Sequence, residues 1–252
     1  MKQETNPEKN ARLAVVGNGR ADKRQQVVLV FQGGGALGAF QAGVYQAMHE
    51  ADIEPDWIIG TSIGAINAAL ITGNEPGNRI ERLTEFWRRV TQKPIWADLG
   101  LWPQLSRSAL YLNALRDGVP GFFEPNPVAY SHPHYRLGAE GAAYYSVRKL
   151  RSTLGDLVDF DLINKGKPRL TVGAAQVKSS KMRYFDSREM QVGIEHILAS
   201  GALPPAFPAV RIDGELYWDG GILSNTPTEV VFDDNPRRNS LIFAVSSSSS
   251  TG

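Results

Sequence analysis

The chain contains no cysteine, which excludes disulfide bridges, thiolate metal sites and a cysteine nucleophile. Histidine is scarce. His49, His132, His134 and His196 are too few and too scattered to suggest a metal centre. An excess of either charge is missing too: 27 Lys plus Arg against 26 Asp plus Glu leave a formal net charge of +1. That balance argues against a basic nucleic-acid binder and against a protein driven by an acidic tail. No run of 18 apolar residues offers a transmembrane helix, and the polar first 26 residues lack the apolar core of a signal peptide. The expectation is a soluble, cytoplasmic protein with no metal and no cofactor.

What is present suits one domain. The chain has 252 residues, 42% of them hydrophobic, enough to bury a substantial core. Residues 1–26 carry six basic and three acidic side chains without apolar periodicity, and read as a flexible lead-in. Val27-Val28-Leu29-Val30-Phe31 is an unbroken apolar run that stops at glycines, as a strand buried on both faces does. Residues 39–50 have helical apolar spacing, Asp56-Trp57-Ile58-Ile59 reads as a second strand, and residues 63–72 form a small-residue helix closed by Gly73. Strand, helix, strand, helix implies a parallel pair with a right-handed crossover, hence an α/β domain with helices on both faces.

Residues 79–91 predict a charged helix. From 92 to 145 the texture changes: Trp96, Trp102, Tyr111, Phe122, Phe123, Tyr130 and Tyr135 lie among six prolines. This stretch is either a cap over an active site or an irregular packed insertion. Strand-like runs return at 169–172, 182–185 and 216–218, with a helix over 193–200. A last apolar run, 241–245, passes directly into the serine-rich residues 246–252. That junction reads as a truncated chain or an appended tail. The ordered domain is expected to span residues 27–245.

Two glycine-lined turns and one Asp-Gly-Gly carry the chemistry. Gly60-Thr61-Ser62-Ile63-Gly64 has the G-x-S-x-G form and lies between a strand and a helix, the context in which a serine stands exposed on a sharp turn. By composition such a pattern arises in roughly one chain in six, so its placement matters more than its letters. The competing reading is a glycine-rich turn with Ser62 as a helix cap. Gly33-Gly34-Gly35-Ala36-Leu37-Gly38 follows the first strand and opens a helix, and formally satisfies G-x-G-x-x-G. A dinucleotide site wants an acidic residue at the end of the second strand, where this chain has Ser62 instead. Two such turns side by side are better read as one site, with Gly34 and Gly35 N–H groups directed at an oxyanion.

A serine needs a base. No histidine stands in the order of a Ser-acid-His triad with an obvious strand-end acid. Asp219 in Tyr217-Trp218-Asp219-Gly220-Gly221 ends a strand, and the glycines let the chain turn away from its carboxylate. It is the candidate base, hydrogen-bonded directly to Ser62. An Asp-Gly turn without catalysis is the alternative.

Glycine loop, G-x-S-x-G and D-G-G, in that order, resemble the patatin-like phospholipase family over about residues 27–245. The run Ala199-Ser200-Gly201-Ala202-Leu203-Pro204-Pro205-Ala206-Phe207-Pro208 and Asn225-Thr226-Pro227 resemble it as well. The resemblance implies a three-layer α/β/α fold around a mostly parallel sheet, with an irregular cap insertion. It implies Ser62 as nucleophile, Asp219 as its partner, and Gly33, Gly34, Gly35 and Gly38 in the oxyanion loop, acting on a lipid or acyl-ester substrate without metal. Leu37 stands where many members carry Arg or Lys, which points toward neutral acyl esters. Two rivals stay open: a nucleotide-binding protein using the glycine loop, and a non-catalytic lipid-binding relative. Peripheral contact with a membrane is also left open, and no nucleic-acid partner is expected.

Overall fold

The computed structural model describes residues 25–91, 116–131 and 138–246. Most of the lead-in, the centre of the proline-rich stretch, His132, His134 and residues 247–252 lie outside them. Seven strands form one sheet: β1 (Gln26–Phe31), β2 (Trp57–Thr61), β3 (Arg169–Gln176), β4 (Lys181–Asp186), β5 (Val210–Ile212), β6 (Glu215–Asp219) and β7 (Ser240–Val245). Their order is β5-β6-β3-β2-β1-β7, with β4 also pairing with β3. The pairings among β7, β1, β2 and β3 are parallel, while β4, β5 and β6 pair antiparallel. The expected α/β class with a mostly parallel sheet is therefore the observed one.

The strands sit in the sheet because both their faces are apolar. Leu29, Phe31, Ile58, Leu170 and Val172 face one side; Val28, Val30, Trp57 and Ile59, one residue out of phase, face the other. The first side carries α1 (Gly38–Glu50), α2 (Ile63–Thr72), α3 (Arg79–Thr91), α4 (Arg148–Leu157) and α5 (Ile194–Ser200). Helical spacing selects what each buries: Tyr45 and Met48 from α1, Leu83 and Phe86 from α3, Leu150, Leu154 and Leu157 from α4. All ten residues of α2 are buried, which its small side chains allow. Burying one such large side chain stabilises the fold by about 1.5–3 kcal/mol, so this side holds most of the core.

The other side is covered less evenly than a symmetrical three-layer plan implies. Among the described residues its helical cover is the single turn Glu229–Phe232, which lays Val230 and Val231 on the sheet. Beside it, among the described residues, lies a cluster of paired charges. Arg169 stacks 3.8 Å above the Trp57 ring and donates to Asp186 and Asp234, and Arg188 reaches the same Asp234 at 2.7 Å. Buried cations and carboxylates are tolerated there because each is paired. The described parts of the proline-rich stretch pack into the main body: Phe122 and Phe123 stack among Phe86, Tyr145 and Phe207 with ring centroids 4.8–6.5 Å apart.

One detail of register matters most for the site. Strand β3 pairs with β2 from Arg169 to Gly173, and with β6 from Ala174 to Gln176. The opposite edge of β3 is taken by β4 over Thr171–Gln176. Strands β2 and β6 therefore occupy the same edge of β3, end to end, running toward each other. The residue after Thr61 and the last residue of β6 meet at that seam. They are Ser62 and Asp219.

Candidate active site

The turn at Ser62 is built by close packing. A Cβ added at Gly60 would fall 2.4 Å from the Gly64 carbonyl oxygen, and one added at Gly64 would fall 2.5 Å from the Phe31 carbonyl oxygen. Only glycine lets the first turn of α2 come down so tightly on the ends of β1 and β2. Between these glycines Ser62 is forced to φ 57°, ψ −125°, a conformation that costs a non-glycine residue about 1–3 kcal/mol. Main-chain strain of this kind holds a side chain clear of the strand it follows.

The Ser62 hydroxyl donates to Asp219 Oδ2 at 2.7 Å. The other carboxylate oxygen, Oδ1, accepts the Gly221 N–H at 2.7 Å, so the glycine after the strand holds the acid as well as turning the chain. Asp219 is 4% exposed. Burial raises its carboxyl above the ordinary Asp range, and the bonds from Ser62 and Gly221, which favour the charged form, offset this only in part. A carboxylate so raised is a better base near neutrality than an exposed Asp.

The glycine loop lies against this pair. Its geometry depends on Asn225, whose side-chain amide donates to the Gly33 carbonyl at 3.2 Å and whose main-chain carbonyl accepts the Gly33 N–H at 3.0 Å. A Cβ at Gly33 would fall 2.3 Å from Asn225 Oδ1 and 3.1 Å from Ser62 Cβ. The four glycines expected to line an oxyanion loop thus divide. The Gly33 N–H is committed to Asn225, and the Gly38 N–H to the turn it closes on Ala36 and Gly35. Among the described residues the N–H groups of Gly34 and Gly35 have no such engagement, because they precede the first hydrogen-bonded turn of the helix. The first glycine's close approach is to its own chain, which removes the room a pyrophosphate cradle would need there.

Beneath the loop runs a buried amide chain. Gln41 donates to the Gln32 carbonyl at 2.6 Å, Asn67 donates to Gln41 Oε1 and to the Gly38 carbonyl at 2.9 Å, and the Trp87 indole donates to Asn67 at 3.1 Å. It ties the loop to α1, α2 and α3. The sequence reading missed this chain and the Asn225 clamp. Asn67 had the clearest signal, a polar residue inside an otherwise apolar helix.

Neither described histidine joins the pair. His196 accepts the Gly193 N–H at 2.9 Å and packs edge-on against Phe185, and His49 pairs with Glu54 at the far end of α1. What remains is a serine on a strained turn, a buried carboxylate touching it, and two neighbouring unengaged amides.

A family model described as patatin-like phospholipase matches residues 29–232. A lysophospholipase, nte1, from Aspergillus terreus is 56% identical over 46 residues, which are 18% of this chain and 3% of that protein. Of solved structures, VipD from Legionella pneumophila is similar with a TM-score of 0.42 and 18% identity, over 81% of this chain and 47% of that one. The ExoU–SpcU complex from the type III secretion system of Pseudomonas aeruginosa is similar at 0.34 and 16%, over 86% of this chain and 43% of that one. The chain spans less than half the length of each of these proteins.

Proposed function

The chain belongs to the patatin-like phospholipase family, and from that premise we propose that it hydrolyses fatty acyl esters of lipids with Ser62 as nucleophile and Asp219 as general base. The observation that supports this best is the direct 2.7 Å hydrogen bond from the Ser62 hydroxyl to a buried carboxylate oxygen. Asp219 takes the hydroxyl proton as Ser62 Oγ bonds to the acyl carbon. The carbonyl oxygen becomes an oxyanion facing the Gly34 and Gly35 amides, each such donor being worth about 10²–10³ in rate. Collapse breaks the ester bond, and the departing alcohol takes its proton from Asp219. Water then enters and gives a proton to the same carboxylate as its oxygen bonds to the acyl carbon; the fatty acid leaves as the Oγ–acyl bond breaks, and Asp219 returns the proton to Ser62 Oγ.

A fluorophosphonate probe tests the reading directly. It is expected to add to Ser62 alone, located by mass spectrometry of the digested protein. Folded protein that takes up no probe, or takes it up on another serine, would remove Ser62 from this role.

We also propose a lipid-facing rim. Leu37 lies in the glycine loop and Phe40, 62% exposed, just after it, while Ile222 and Leu223 follow Asp219 closely in the chain; all are about half exposed or more. Large apolar side chains left in water beside a reactive serine suit contact with an acyl-chain surface. Withdrawing one such contact is worth about 1–2 kcal/mol. Phe40→Asp is therefore expected to lower co-sedimentation with phosphatidylcholine vesicles roughly 10-fold, with an unchanged circular dichroism spectrum. Undiminished co-sedimentation would place the lipid contact elsewhere.

A further inference from the structure

We infer that Ser200 is a positioning residue for the nucleophile, its hydroxyl inserted into the sheet at the point where β2 leaves β3. The inference rests on the hydrolase reading above. The parallel register of β2 on β3 ends at Thr61 opposite Gly173. Beyond it Ser62 turns away with φ 57°, so its N–H leaves the strand line while Gly173 still presents a carbonyl there. Both groups are interior, and neither can be left unpaired cheaply.

Ser200, the last residue of α5 and fully buried, fills the gap. Its Oγ accepts the Ser62 N–H at 2.9 Å and donates to the Gly173 carbonyl at 2.6 Å. A hydroxyl can accept and donate at once, which is what a broken ladder rung requires. Holding the Ser62 N–H holds the peptide plane that precedes the residue; with α2 fixing the chain beyond it, φ is set, and φ sets where Oγ stands relative to Asp219 Oδ2. The same short segment holds the acid: the Asp219 N–H donates to the Ala202 carbonyl at 3.0 Å. Residues 200–202 thus bracket both members of the pair, one by a side chain and one by the main chain. Ser200 acts through Ser62; it is not placed to touch substrate.

The test compares wild type, Ser200→Ala and Ser200→Thr on a soluble p-nitrophenyl ester. Alanine is expected to lower kcat roughly 10–100-fold, the rate equivalent of leaving a buried N–H and C=O unpartnered, with KM within two-fold. Fluorophosphonate labelling of Ser62 should slow by the same factor. The acid limb of the kcat profile should move to higher pH, because a displaced Ser62 withdraws a hydrogen bond that favours the Asp219 carboxylate. Threonine keeps the hydroxyl and should restore most of kcat and the limb's position. A merely structural serine would lower Tm without moving that limb. Alanine with wild-type kcat and an unmoved acid limb overturns the assignment. If the alanine variant does not fold, Ser200→Cys decides instead: a weak thiol donor should give an intermediate kcat, and a wild-type kcat overturns the proposal. An inactive wild type overturns the hydrolase reading and this assignment with it, whereas an active wild type with an indifferent variant overturns this assignment alone.

Discussion

Ser62→Ala is expected to lower ester turnover by roughly 10⁴–10⁶-fold, the scale on which loss of a nucleophile acts when the surrounding hydrogen-bond donors remain. The reason lies in how little else can substitute. Among the described residues the carboxylate's side-chain partner is the Ser62 hydroxyl alone, the other oxygen being held by Gly221 N–H. Water in place of Oγ would have to reach a position that the strained turn reserves for a tethered atom, and would lose the advantage of fixed orientation. The variant should fold, because the substitution removes one hydroxyl and leaves the Gly60 and Gly64 contacts that shape the turn. Steady-state assay beside a thermal melt checks both halves. A folded variant with more than about a hundredth of wild-type turnover would sink the nucleophile assignment.

Asp219→Asn should cost about 10³–10⁴-fold in kcat and should not cost stability. Asparagine has the same shape: its Oδ1 can keep the Gly221 N–H, and its amide can donate to Ser62 Oγ in place of accepting from it. The shape and the Gly221 contact survive, but the proton acceptor is gone. The pH behaviour separates the two effects. In wild type the rate should fall as pH drops through a carboxyl pKa that burial has raised above the ordinary Asp value. The stability sign runs the other way. Because the folded-state pKa lies above the unfolded one, the group's favourable contribution is complete below the unfolded value and is lost as pH rises through the folded one. The asparagine variant has no such titration, so its Tm should exceed that of wild type near neutrality, with the gap closing in acid. A variant retaining a tenth or more of wild-type kcat would remove Asp219 as base.

Much of this was legible because parallel strands and glycine turns leave plain marks. The run over residues 27–31, the short strand before Gly60, and the last run near residue 241 all fall on observed strands within a residue or two. Ser62 and Asp219 each ended a strand in the reading, and the structure brings them together because those strands share an edge of β3. What escaped depends on partners far away in sequence. Ser200 and Asn225 stand in segments the resemblance picked out, but their roles come from contacts 138 and 192 residues distant. The division of the glycine loop was hidden for the same reason, since the Gly33 amide is occupied by a carbonyl that no local pattern specifies. Helix α4 followed an aromatic and proline-rich stretch whose irregularity masked the Leu150, Leu154, Leu157 spacing. The cover that the described residues give the second sheet face was equally invisible, because an apolar strand face looks the same under a helix or under a paired arginine.

The end-to-end seam between β2 and β6 has a consequence during synthesis. The strand and helix that flank Ser62 are available once the ribosome has delivered α2, yet its base lies 157 residues further along the chain. No local folding event can bring the two together, and closing so long a loop must be compensated by the β6 pairing itself. On the proposed chemistry, a nascent or half-unfolded chain carries a serine with no proton acceptor. It is inert toward the lipids around it until the last piece of that sheet edge is in place.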